Sequence, residues 1–221
     1  YEHLKNLLNS TKTYKIYNKD LNFKLKRIIK LNLDKNIKYN HLLRLAITKD
    51  LISISLRNRL TPNKNFKLKL LNYKRNNPAH KNLKYNFILT KMKNINTKSN
   101  DLALIYNNKI FETGTSNLLF VKKGTIYSPE ENYYKGITLK LINKVFSIKY
   151  SNIYIKNLND YEEIILTGSG KGIVSVNSIE GIKWRRKSLK YFKILNNYYE
   201  KAVTKCPRYY SWTINLTILQ I

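Results

Sequence analysis

Cysteine occurs once in the 221 residues, at Cys206, which excludes a disulfide framework and any cysteine-rich zinc site and fits a reducing compartment. Acids are also scarce: 13 Asp and Glu stand against 42 Lys and Arg, a formal net charge of +29. No apolar run approaches the roughly 18 residues of a membrane span, which excludes an integral helical membrane protein. Tyr1–Ser10 has the pattern of neither a signal nor a transit peptide, and a start at Tyr1 rather than Met carries the expectation that residues are missing before it. Alanine (4), proline (4) and glycine (7) are all rare, and no glycine precedes Gly114.

In their place stand 30 asparagines and 18 tyrosines, with abundant lysine and isoleucine. This resembles the codon drift of a very AT-rich genome, which fills exposed positions with Lys and Asn. The basic residues are scattered along the chain rather than gathered in one stripe, which favours a solvated surface over a dedicated nucleic-acid face. The shortage of acids is not explained by that drift, so a general affinity for anions remains part of the expectation.

Apolar spacing predicts helices over Glu2–Tyr14, Asn22–Leu33, Asn82–Asn96, Ile137–Tyr150 and Ser188–Val203. Strands are predicted at Leu43–Thr48, Leu51–Leu56, Phe66–Tyr73, Asp101–Tyr106, Lys109–Phe111, Asn117–Val121, Thr125–Tyr127, Ile153–Ile155, Glu163–Thr167 and Ile173–Val176. Asn107-Asn108 and Lys123-Gly124 suit tight hairpin turns. There are no repeats. Helices and strands mixed in this order mean α+β.

In a composition that disfavours glycine, each survivor marks a geometric need, either positive φ or close backbone approach. Gly136-Ile137-Thr138 opens a predicted helix, where free N–H groups favour an anion. Gly168-Ser169-Gly170-Lys171-Gly172 follows the apolar strand Ile164–Leu166, another arrangement suited to phosphate. Taken singly, each is as well explained by an ordinary helix start or a tight turn. Neither is a Walker loop, since no Lys-Ser/Thr pair closes the glycine-rich stretch, and neither is a dinucleotide fingerprint. Together they suggest a phosphorylated cofactor held from two sides.

Phe111-Glu112-Thr113-Gly114-Thr115-Ser116-Asn117-Leu118-Leu119-Phe120 resembles the E-x-x-x-S-N-x-F strand–turn–strand of class IV (fold-type IV) pyridoxal-phosphate enzymes, with Leu119 in place of the usual Phe. This family includes the branched-chain and D-amino-acid aminotransferases and 4-amino-4-deoxychorismate lyase. The order that follows is also similar: Ile126-Tyr127-Ser128-Pro129, Gly136-Ile137-Thr138, Glu163–Ser169 and Ile173–Val176. Upstream, Glu2-His3-Leu4-Lys5-Asn6-Leu7 and Ser10 resemble the family's E-H-L-x-R-L-x-x-S helix, and the likeness spans about Glu2 to Val203.

The resemblance implies pyridoxal 5'-phosphate as cofactor and Lys81, about thirty residues before Glu112, as the catalytic lysine that joins it as a Schiff base and moves the substrate's α-proton. Glu112 falls where the family pairs with the pyridine nitrogen. Ser169, with the backbone of Ile137 and Thr138, matches the phosphate cradle, and Tyr85 borders the ring. Gly170 and Lys171 sit where relatives approach the substrate carboxylate, and Arg44 and Lys49 match carboxylate-binding cations of the small domain. No metal is implied. The chain departs from the family at Asn6 (arginine on the phosphate), Lys84 (asparagine) and Leu139 (arginine), and the strands that precede the E-H-L helix are absent.

The resemblance further implies a two-domain fold-type IV architecture. A small N-terminal domain, incomplete, runs over 1–60, a linker over 61–65, and a larger pseudobarrel domain over 66–205, followed by a tail over 206–221 of which Trp212–Ile221 is expected to be unpacked. A homodimer in the cytoplasm acting on an amino-acid-like small molecule is expected, with no membrane and no nucleic-acid partner. Gly181–Lys187 lacks the Gly-Pro-containing segment of branched-chain aminotransferases, which favours the lyase, forming 4-aminobenzoate and pyruvate for folate synthesis. A branched-chain or D-amino-acid aminotransferase is the alternative. A catalytically dead relative, or a nucleic-acid-binding protein from an AT-rich genome, is the alternative outside the enzyme class.

Overall fold

The computed structural model describes residues 2–206 apart from positions 35 and 38, so the expected tail from 207 onward lies outside the described residues. Helices α1 (Glu2–Thr13) and α2 (Leu21–Asn32) bury Leu4, Leu21, Leu25 and Ile29. They cover an antiparallel ribbon of β1 (His41–Ile47) and β2 (Ile52–Asn58), closing a small core with Leu45, Ile47 and Ile52. Such a ribbon is marginal by itself in water, and the helices supply its missing face. Residues directly opposed across a ladder share a side, so the other face carries Leu42, Arg44 and Ala46 opposite Arg57, Ser55 and Ser53.

Among the described residues, nine strands form the second sheet: β3 (Phe66–Asn72), β4 (Asn100–Tyr106), β5 (Lys109–Thr113), β6 (Asn117–Lys122), β7 (Thr125–Pro129), β8 (Ile148–Ser151), β9 (Ile153–Tyr154), β10 (Glu163–Gly168) and β11 (Gly172–Ile179). Their order is β8-β7-β6-β10-β11-β3-β4-β5-β9, with β3 parallel to both β11 and β4, and β7 parallel to β8. Four strands stand between β5 and β6 in this order, yet the two lie in contact, so the sheet curls back on itself.

The curl has an inside and an outside. Leu118 and Phe120 of β6, Ile164 and Leu166 of β10, Val174 and Val176 of β11, and Phe66 and Leu68 of β3 fill the interior with Trp184. The alternate residues Leu119, Val121, Ile165 and Ile173 face outward, where Leu139 and Ile142 of α4 (Ile137–Asn143) and Leu195 and Tyr199 of α5 (Lys190–Thr204) cover them. Burial on both faces explains why β6 and β10 read as unbroken apolar runs. The Trp184 indole N–H donates to the Tyr161 carbonyl at 3.0 Å, which satisfies its polar atom inside the core.

Asn107 and Asn108, and Lys123 and Gly124, all take positive φ, as the twist of a two-residue hairpin turn requires. Three predicted elements are corrected. The helix over Ile137–Tyr150 stops at Asn143, because Ile148–Ser151 pairs in parallel with β7. The helix over Asn82–Asn96 is α3, Asn86–Lys93, so Lys81 lies in the connection before it. The strand at Ile153–Ile155 is two residues long and runs into a 3-10 turn over Ile155–Asp160.

Candidate active site

Lys81 sits in the connection between the end of β3 and the start of α3, with its side chain exposed. Its Nζ stands 5.2 Å from the ring centroid of Tyr134. The same tyrosine donates its backbone N–H to Glu112 Oε2 at 3.2 Å and accepts from Asn6 Nδ2 at its hydroxyl, at 3.1 Å. Tyr134 thus joins the lysine, the glutamate and helix α1. Surrounding protein and the Arg75 guanidinium hold the Lys81 ammonium below the usual lysine range, with Glu112 opposing them. His3 on α1 is lowered as well, by burial and then by the Lys81 charge.

Glu112 lies on β5 and is buried. Its Oε1 accepts from Arg75 Nε at 2.6 Å, and burial raises its carboxyl pKa against the opposing pull of that guanidinium. Arg75 is buried too; it donates to the Pro78 carbonyl at 2.8 Å and lies 5.8 Å from the Tyr85 ring. The Tyr85 hydroxyl donates to the Gly114 carbonyl, and desolvation pushes its pKa up. Tyr85 therefore ties α3 to the turn that follows Glu112.

The phosphate-like elements meet at the ends of β6 and β10. Asn117 accepts the Gly136 N–H at 3.0 Å and donates to the Tyr134 carbonyl at 2.6 Å, which fixes the start of α4. A Cβ on Gly136 would lie 2.7 Å from Asn117 Oδ1, so only glycine fits this approach. In the first turn of α4 the N–H groups of Ile137 and Thr138 have no carbonyl within the helix to bond. Strand β10 packs on α4, and its Thr167 Oγ1 is buried without a hydrogen-bond partner among the described residues. Ser169 follows on the exposed tip of the glycine-rich turn.

That turn also faces the ribbon. A Cβ on Gly170 would contact Leu42 Cδ1 at 3.5 Å, and Arg44 lies two residues along the same face of β1, exposed. Lys49 is in the connection at the far end of the ribbon, roughly 20 Å along the strand from Leu42, and is not brought to the turn. Lys171 points to Asp101, with Nζ and Oδ2 2.9 Å apart. The sequence reading passed over Arg75, Asp101 and Tyr134. For Tyr134 a signal existed, because it stands two residues before Gly136; Arg75 and Asp101 acquire their partners only through packing.

A profile of the amino-transferase class IV family matches residues 1–179. Over 104 residues the chain is 27% identical to a protein of Rickettsia bellii assigned as a branched-chain-amino-acid aminotransferase, a stretch covering 43% of this chain and 36% of that one. The chain thus matches well under half the length of this curated relative. A branched-chain aminotransferase from Thermoproteus uzoniensis, solved with norvaline, superposes with a TM-score of 0.74 at 16% identity, over 96% of this chain and 81% of that one. An aminotransferase from Brucella abortus bound to the cofactor PLP gives 0.71 at 15% identity, over 92% and 83%. A protein of Legionella pneumophila assigned as a 4-amino-4-deoxychorismate lyase gives 0.68 at 22% identity, over 90% and 85%. With the profile covering most of its length, the chain belongs to the amino-transferase class IV family.

Proposed function

We propose that this chain is a pyridoxal-phosphate-dependent enzyme that acts on an amino-bearing carboxylate substrate. The observation that carries the reading is the joint placement of Lys81 and Glu112 on Tyr134, an amine of lowered pKa beside a buried carboxylate. The donor set suits the cofactor. Lys81 offers an amine to its aldehyde and Glu112 an acceptor to a protonated ring nitrogen. Ile137, Thr138 and Ser169 offer donors to its phosphate. When bound, the cofactor supplies an aldehyde and a ring that accepts electrons from the substrate.

The chain's own residues then do the rest. Lys81 holds and moves a proton at the substrate carbon, a task helped by an amine poised nearer neutrality. Burial raises the Glu112 carboxyl pKa, and Arg75 pulls against it toward the charged form. Tyr134 and Tyr85 wall the cleft and limit water, and Arg44 and the Gly170 backbone face the substrate's acidic end. Lys49, at the far end of the ribbon, would need substrate contact from a second copy of the chain, so the expected cytoplasmic homodimer is part of this proposal.

The finer reading is 4-amino-4-deoxychorismate lyase, which forms 4-aminobenzoate and pyruvate for folate synthesis. It is supported by the Arg44 and Arg57 face toward a dicarboxylate substrate and by the segment after β11. There Trp184 plugs the core and Arg185 bridges back to Ser178 in place of a Gly-Pro-containing loop. The aminotransferase reading is favoured by the likeness to branched-chain aminotransferases. Absorbance of the protein with pyridoxal phosphate, before and after borohydride, tests the shared step. A visible band that borohydride removes, with the cofactor left on Lys81 and no band in Lys81→Ala, is expected; no band in the parent protein refutes the reading. Release of pyruvate without an oxo-acid acceptor then separates lyase from aminotransferase.

A further inference from the structure

Lys171 stands at the tip of the glycine-rich turn, yet its side chain is only 10% exposed. Its Nζ donates to Oδ2 of Asp101 at 2.9 Å and lies 5.0 Å from the ring centroid of Phe66. Asp101, on β4, is fully buried. Besides Lys171 it accepts from Thr113 Oγ1 at 3.0 Å, Thr115 Oγ1 at 2.5 Å and the Leu102 N–H at 2.8 Å. A carboxylate this deep persists as a charge only when paired and saturated with donors, and these four groups do both.

The pair joins two turns that are distant in sequence. One is Thr113–Ser116, which begins immediately after Glu112 and is closed by the Ser116 N–H donating to Thr113 Oγ1 at 2.9 Å. The other carries Ser169. The two already touch: a Cβ on Gly168 would sit 2.9 Å from Ser116 Oγ and 3.4 Å from the Thr115 carbonyl. Close glycine packing brings backbones together without fixing their lateral position, and a Gly-Ser-Gly tip has much backbone freedom to lose. The ion pair supplies the missing restraint from the inner side of the turn.

We propose that Asp101 and Lys171 act as a clamp that sets the glycine-rich turn against the Thr113–Ser116 turn, so that Ser169 meets the cofactor phosphate in register with Glu112 at the ring. Both are positioning residues, and Lys171 does not touch the substrate carboxylate. The inference rests on the cofactor reading above and departs from the role that the family resemblance implies for Lys171.

The test compares binding of pyridoxal phosphate and of pyridoxal, which lacks the phosphate, by fluorescence titration of the parent protein, Lys171→Met, Lys171→Arg and the double variant D101N/K171M. A clamp makes Lys171→Met lose about tenfold in affinity for pyridoxal phosphate, with pyridoxal changed by less than about twofold, because only the phosphate arm shifts. Lys171→Arg keeps the charge and restores binding. The double variant leaves no unpaired buried charge but still lacks the clamp, so it shows the same selective loss for pyridoxal phosphate, which keeps the test decisive should the single variant fold poorly. Unchanged affinities in Lys171→Met with a raised KM alone overturn the clamp and return Lys171 to the substrate. Equal loss for both compounds also overturns it, as a general structural effect. If the parent protein binds neither compound, the cofactor reading itself has failed, an outcome distinct from a parent that binds and a variant that binds equally well.

Discussion

A protonated lysine is neither base nor nucleophile, so the charge state of Lys81 decides what the cleft can do. Burial lowers its pKa most, Arg75 lowers it further and Glu112 raises it. Labelling of Lys81 by an amine reagent across pH, read by peptide mass spectrometry, is therefore expected to show a midpoint below that of exposed lysines. Arg75→Gln moves the midpoint up and Glu112→Gln moves it further down; shifts of the opposite sign defeat the electrostatic account. Gly136→Ala forces a Cβ against Asn117 Oδ1, at an expected cost of about 1–3 kcal/mol in urea unfolding. At this scale a spacing that resembles that of a known family singled out the lysine and the glutamate, and both meet Tyr134. Nothing singled out Arg75 and Asp101, since each finds its buried partner only when a distant strand packs against it.

Helix α5 owes its start to a residue in another element. Glu163 on β10 is fully buried, and it accepts the N–H groups of Tyr191 and Phe192 at 2.8 Å and the Ser188 hydroxyl at 2.9 Å. A carboxylate on the first-turn donors also meets the positive end of the helix. Glu163→Ala strands those donors, at an expected cost of about 1–3 kcal/mol and with faster hydrogen exchange confined to the first turn of α5. Uniform exchange across α5 would speak against the cap. The helix itself was visible in apolar spacing, and so were the two hairpins at Asn107-Asn108 and Lys123-Gly124. The second half of the predicted Ile137–Tyr150 helix was misread because parallel pairing with β7 outweighs the local spacing of Ile148–Ser151.

Over the whole molecule, a net charge of +29 on 221 residues makes self-repulsion a standing cost of the compact state. Raising salt from about 0.02 to 0.2 M shortens the screening length from roughly 20 to 7 Å and is expected to raise Tm. A fall in Tm over that range would show that attractive ion pairs such as Lys69–Glu180 and Lys122–Asp160 dominate instead. Phe120→Ala, which empties a fully buried site inside the curl, is expected to cost about 3–5 kcal/mol. The α+β class and most strands were evident from alternation and turn residues. The curl left no local pattern, because strand order depends on partners far apart in sequence, and only the family resemblance, which implies a pseudobarrel, anticipated it.

Strand β3 makes this concrete in the time a ribosome takes to build the chain. Phe66 and Leu68 pair with β11 residues roughly 110 positions later, and one side of β3 stays bare until those residues emerge. At ordinary elongation rates that wait is on the order of ten seconds. For that interval the nascent chain presents an apolar strand with an open edge, and its safe delivery depends on whatever shields that edge during synthesis.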